Sequence, residues 1–187
     1  MDEAVFYRDW LSLDKGKFRI LAMIAGNGAF SGNLSDMCEC LSISSQTRNR
    51  NKLKTAIQEL EDGGWIEAEQ TGRTFHLKPV PRGKEIHLPR EWMETIMRRE
   101  YGSAAVAWEV VLKVLLWLVD CGDKIVITDR MIAEEIGLSD STVSAAKKVL
   151  RKDFQLLKID ALTIKREDGT YWRIGHTATI NAWLSTE

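Results

Sequence analysis

Thr128-Asp-Arg-Met-Ile-Ala-Glu-Glu-Ile-Gly-Leu-Ser-Asp-Ser-Thr-Val-Ser-Ala-Ala-Lys-Lys-Val-Leu150 reads as two short helices joined by a tight turn. Thr128 offers a side-chain oxygen where a first helix begins, and Gly137 breaks that helix. Leu138 anchors the turn, and Ser139 opens a second helix. Upstream, residues 104–120 form an apolar run that ends at Cys121-Gly122, followed by the short strand Ile125-Val-Ile127. Glu109 and Lys113 interrupt that run at a spacing that pairs them along one helix face. It is also shorter than the roughly 20 residues a membrane span needs, so it reads as a buried helix. Downstream, Leu156 to Glu167, the turn Asp168-Gly169, and Thr170 to Ile180 read as a β-hairpin. Residues 90–101 supply an extra leading helix with Trp92, Ile96 and Met97 inward.

The first half repeats this order. Phe18 to Ala25 is an apolar helix ending at Gly26-Asn-Gly28, and Ala29-Phe-Ser31 is a small strand. Asn33 starts a helix carrying Leu34, Met37, Cys38 and Leu41 at helical spacing. A longer helix follows with Leu53, Ala56, Ile57 and Leu60 on one face, and Gly63-Gly64 stops it. Trp65 to Gln70 and Arg73 to Lys78 then form a hairpin turned at Thr71-Gly72. Ile43 matches Leu138 at an offset of 95, whereas Leu53 matches Val143 at 90, so the first half carries five more residues within Ser44 to Asn51. These imply a helix that starts early or a longer turn. All three prolines, Pro79, Pro81 and Pro89, fall in one stretch, which marks a linker at 79–89 between domains at 1–78 and 90–187.

Ile136 to Leu150 resembles the helix-turn-helix of winged-helix regulators, in which a glycine makes the turn and a Ser-Thr-Val sequence opens the recognition helix. Leu60-Glu-Asp-Gly-Gly-Trp-Ile66 looks like the passage from recognition helix to wing in the same superfamily. The resemblance covers nearly the whole chain and implies a mostly α fold with small β-hairpins, two winged-helix domains in tandem. The tandem arrangement is similar to replication initiators of plasmids and phages and to two-domain regulators of mobile elements. Segregation and condensation scaffolds share the architecture and supply the competing reading, a protein-interaction module.

Composition narrows the function classes. Hydrophobic residues make up 44% and charged residues 28%, the balance of a folded domain rather than a disordered one. A net charge of −1 and a pI near 6.3 exclude a globally basic DNA-binder, so any nucleic-acid surface is local. Three cysteines, an odd number, and a start without a basic and apolar leader fit a reducing, cytoplasmic setting. Cys38 and Cys40 point roughly 200° apart on a helix, and His76, His87 and His176 have no ligand spacing. With no phosphate loop, nucleophile elbow or paired-acid motif, the expectation is a protein that is not an enzyme and needs no metal or cofactor. Trp65, Trp108, Trp117 and Trp172 occupy apolar positions and are expected in the core.

The chemistry sits in Ser45-Gln-Thr-Arg-Asn-Arg-Asn-Lys-Leu-Lys54, which holds four cations and no acid. Arg, Asn and Gln can make paired hydrogen bonds to guanine and adenine edges in the major groove. Candidate DNA contacts are therefore Gln46, Thr47, Arg48, Arg50, Asn51, Lys52 and Thr55. The corresponding residues of the second half are Ser141, Thr142, Ser144, Lys147 and Lys148. The hairpins add Arg73 and Lys78 in the first, and Lys165, Arg166 and Arg173 in the second. The expected partner is double-stranded DNA, bound sequence-specifically by a transcriptional regulator or a replication-initiator-like protein. A homodimer through the apolar helices suits a symmetric operator, and no membrane is involved. Against this stands the acidic strand Glu67-Ala-Glu69, which lies close to the path of a phosphate backbone.

Overall fold

Contacts in the computed structural model divide the chain into two units, Met1–Glu100 and Tyr101–Glu187. The structure describes residues 2–98, 106–122, 126–167 and 170–180. Each unit is α+β, with helices beside a three-stranded antiparallel sheet, and the first unit holds a two-stranded sheet as well.

In the first unit, strand β1 (Glu3–Tyr7) and a 3-10 turn lead to helix α1 (Lys15–Asn27). Asp14 starts α1 by accepting hydrogen bonds from the Gly16 and Lys17 amides, a cap worth about 1 kcal/mol. Strand β2 (Phe30–Gly32) then runs into α2 (Leu34–Cys40). Here Asn33 and Asp36 exchange side chain–backbone hydrogen bonds in a full capping box. Helix α3 (Thr47–Asp62) follows, then β3 (Ile66–Thr71) and β4 (Thr74–Pro79). The sheet order is β2-β4-β3. Gly72, at φ 62°, holds the first of two loop positions between β3 and β4, where a tight hairpin turn needs positive φ. The core closes on Phe18, Leu21, Ile24, Met37, Leu60 and Leu77; burying each such side chain stabilises by roughly 1.5–3 kcal/mol.

The second unit repeats the order helix, strand, helix, helix, strand, strand. Its elements are α5 (Trp108–Cys121), β6 (Val126–Ile127), α6 (Asp129–Ile136), α7 (Asp140–Lys152), β7 (Leu157–Lys165) and β8 (Tyr171–Ile180). The sheet order, β6-β8-β7, is the counterpart of β2-β4-β3. Thr128 caps α6 through the Met131 amide and Ser139 caps α7 through the Thr142 amide. Every residue of α5 from Trp108 to Leu118 is buried, Glu109 and Lys113 included, and α6, α7 and β8 are among its neighbours. Ile125 and the Asp168-Gly169 turn lie outside the described residues, as does the side chain of Trp172.

The turns between the paired helices match in detail. The Ile43 amide donates to the Cys38 carbonyl at 2.9 Å, and the Leu138 amide donates to the Ala133 carbonyl at 3.0 Å. Gly137 makes its turn at φ 68°, and Ser42 occupies the equivalent place at φ 53°. The five extra residues of the first unit divide between both expected outcomes. Three lengthen the helix, since α3 has 16 residues and α7 has 13, and two lengthen the turn, which is Ser44–Gln46 against Ser139 alone.

Residues 79–89 are not a loose linker. The Val80 amide donates to the Trp65 carbonyl at 2.9 Å. The Arg82 guanidinium lies 4.4 Å over the Trp65 ring and donates to the Gly63 carbonyl at 2.8 Å. That stacking leaves Trp65 half-buried at the surface, whereas Trp108 and Trp117 are in the core. Strand β5 (Glu85–Pro89) then pairs antiparallel with β1. Pro79 and Pro89 each end a strand, where a missing N–H disrupts little. Helix α4 (Arg90–Arg98) packs on α1 and β1, and Met93 sits so close to Gly26 that no Cβ fits there without moving it. The helix expected to lead the second domain thus closes the first, with Met93 and Ile96 buried and Trp92 and Met97 half-buried.

Candidate nucleic-acid interface

Helix α3 carries three different faces. Leu53, Ile57 and Leu60 are buried, at the spacing of one helical side. Arg48, Lys52 and Thr55 are exposed on another side. On the third, Thr47, Arg50, Asn51 and Lys54 line a cleft of about 430 Å³ that also takes in Asn33, Leu34 and Ser35 from the start of α2, and Gln70, Arg73 and Phe75 from the hairpin. Three of these residues are cationic, five carry amide or hydroxyl groups, and none is acidic.

Local structure explains how the cleft is held open. Phe75 is buried and fixes β4 to the core. The Gln70 side-chain amide donates to the Gly72 carbonyl at 2.8 Å, bracing the turn, and exposed Arg73 occupies the second loop position at the hairpin tip. Asn49 reaches back to the Ser44 carbonyl at 2.8 Å and steadies the lengthened turn before α3. Arg50 lies within 3.5 Å of the Thr47 hydroxyl. Burial pushes the Cys38 thiol upward in pKa, with Arg50 pulling weakly the other way, so Cys38 stays a protonated core group. Its neighbour Cys40 is exposed, which agrees with the opposed directions expected on a helix. Gln46 precedes α3 without a side-chain cap, and its carbonyl accepts from the Asn49 and Arg50 amides at the start of the helix.

The acidic strand turns out to face elsewhere. Along β3, Ile66 is buried, Glu67 and Glu69 are exposed, and Gln70 lines the cleft. Side chains alternate across a strand, so the two glutamates lie on the opposite side of the hairpin from Gln70. Lys78 stands opposite Glu67 and His76 opposite Glu69 in the β3–β4 register, so Lys78 belongs to that outer face and not to the cleft.

The equivalent corner of the second unit is arranged differently. Lys147, expected on the surface, is 5% exposed and its ammonium engages the Asp129 carboxylate at the start of α6. The reason is spacing: Val143, Ala146, Lys147 and Leu150 form the inner face of α7. Ser141 and Lys148 are exposed, while Thr142 and Ser144 are half-buried. The Ser139 hydroxyl lies 2.7 Å from the Thr142 hydroxyl and 3.0 Å from that of Ser141. Lys165 and Arg166 are exposed, and the Arg166 amide donates to the Thr170 carbonyl at 2.7 Å. Arg173 stands opposite Thr163 in the β7–β8 register, and its side chain lies outside the described part. Sequence reading omitted Lys54, Asn33, Ser35 and Gln70 from the candidate contacts. Lys54 follows Arg50 by one helical turn, which was a usable signal.

Among the described residues no group of histidine, cysteine and carboxylate side chains could hold a metal ion, and no helix is long and apolar enough to cross a membrane. Comparison with known protein families and with curated protein sequences finds no match to this chain.

Proposed function

We propose that the chain is a tandem winged-helix protein that binds double-stranded DNA sequence-specifically, and that α3 and the β3–β4 hairpin make the contact. The observation that carries this reading is the acid-free cleft in which Arg50, Lys54 and Arg73 surround Asn51, Thr47 and Gln70. A phosphate strand is stabilised by such cations, and the amides of Asn51 and Gln46 can address base edges. The repeated element order and the two matching sheet orders support the tandem architecture.

Fluorescence anisotropy with random-sequence duplex DNA at two salt concentrations tests the reading, with Arg48→Ala/Arg50→Ala alongside. Salt-sensitive binding that the double substitution weakens is the expected result; no binding at low salt overturns it, and a pull-down for a protein partner then tests the scaffold reading. Selection from a randomised duplex pool gives the recognised site. Permanganate footprinting on that site separates an initiator, which melts it, from a transcriptional regulator, which occupies it intact.

A further inference from the structure

The two units carry their charges in opposite directions along equivalent helices. An α-helix has a positive N-terminal and a negative C-terminal end, so acids near the start and bases near the end stabilise it. Helix α7 follows that rule, with Asp140 in its first turn and Arg151 and Lys152 in its last. Helix α3 runs against it. It has no acid in the first turn and no base in the last; Arg48, Arg50, Lys52 and Lys54 crowd its N-terminal half, and Glu61 and Asp62 end it. Charges placed for helix stability would resemble α7. Those of α3 raise the energy of the isolated helix, and the arrival of a polyanion relieves that cost.

On this ground, and resting on the DNA-binding reading above, we infer that the two units are not equivalent toward DNA: α3 and its hairpin hold the duplex, and α7 does not enter a groove. The surroundings of α7 point the same way. Lys147 is turned inward onto Asp129. The hydroxyls of Ser139, Ser141 and Thr142 close on one another. Arg130 is held by Glu134 at 2.8 Å, and exposed Glu134 and Asp140 both lie near enough to act on its charge. A phosphate approaching the start of α7 therefore meets carboxylates, whereas one approaching the start of α3 meets guanidinium and ammonium groups. The exposed cations of α7 lie in its C-terminal half, where the helix dipole alone accounts for them.

Two variants of the full chain test this. Arg48→Gln/Lys52→Gln/Lys54→Gln and Lys148→Gln/Arg151→Gln/Lys152→Gln each remove three positive charges, so a general charge effect weakens both alike. Glutamine matches lysine and arginine in helix propensity; should a triple variant melt early, Arg48→Gln and Lys148→Gln alone replace the pair. Binding to random-sequence duplex is followed between about 50 and 200 mM salt, where each lost phosphate contact lowers the slope of log K against log salt by about 0.9. The α3 variant should bind at least tenfold more weakly, with the slope reduced by about 2 to 3, and the α7 variant should stay within threefold with its slope intact. Equal losses, or a larger loss in the α7 variant, would overturn the inference while leaving the DNA reading in place. Absence of wild-type binding at low salt overturns the DNA reading and this inference with it.

Discussion

Replacing Arg48 with glutamine should make the first unit more stable. Arg48 is the second residue of α3 and lies in the turn whose amide groups point out of the helix end. A cation there costs about 0.3–1 kcal/mol through the helix dipole at low ionic strength. Lys52 follows at the i,i+4 position, where like charges cost a further 0.2–0.5 kcal/mol or roughly that. Glutamine and arginine differ little in helix propensity, and Arg48 is exposed, so no packing is lost. The expected gain is about 0.5–1.5 kcal/mol, which for a unit of this size raises the melting midpoint by roughly 2–12 °C. Scanning calorimetry or circular dichroism at low salt reads it. The same pair of proteins at about 0.5 M salt should show less than half the gain, because exposed charges are then screened over a few ångströms. A loss of stability, or a gain indifferent to salt, would refute the claim that the α3 cations sit where the helix disfavours them.

Ser42→Gly should stabilise by about 1 kcal/mol, because a left-handed residue with a side chain is strained there, and Gly137→Ala should destabilise by about as much; urea midpoints give both signs. Asp14→Ala should cost about 1 kcal/mol at neutral pH through loss of the α1 cap. Burial alone would raise the Asp14 carboxyl, but the Lys17 amide and ammonium and the Gly16 amide hold it below its ordinary value. Its contribution is therefore full above the usual carboxylate range, and the gap between wild type and Asp14→Ala should close as the pH falls below about 4. Asp129→Asn should destabilise the second unit by about 2–3 kcal/mol, because it leaves the Lys147 ammonium buried beside a neutral group; chemical denaturation reads the loss.

Much of the architecture was legible because caps, glycines and helical spacing all agreed. Thr128, Gly137 and Ser139 mark boundaries that the structure reproduces, and Asn33 begins α2 as its side chain requires. The β1–β5 pair was not legible. Ala4 and Phe6, and likewise Ile86 and Leu88, alternate with more exposed neighbours as paired strands do. Each run is only five residues, however, and the partners stand 78 to 86 positions apart. Proline density at 79–89 points to a linker, whereas two of the three prolines terminate strands. The site was half legible. Acid-free composition pointed to α3, but a linear reading did not show that Glu67 and Glu69 face away from the cleft. Nor did it show that Lys147 lies on the inner face of α7, although its distance of four residues from Val143 carries that information.

The most direct test of the account is a ¹H–¹⁵N chemical-shift titration of the full chain with duplex DNA. Shifts should concentrate on Thr47, Arg50, Asn51 and Lys54 of α3 and on Gln70 and Arg73 of the hairpin, with Glu67 and Glu69 little affected. Spectra unchanged by DNA, or shifts confined to surfaces away from this cleft, would contradict it.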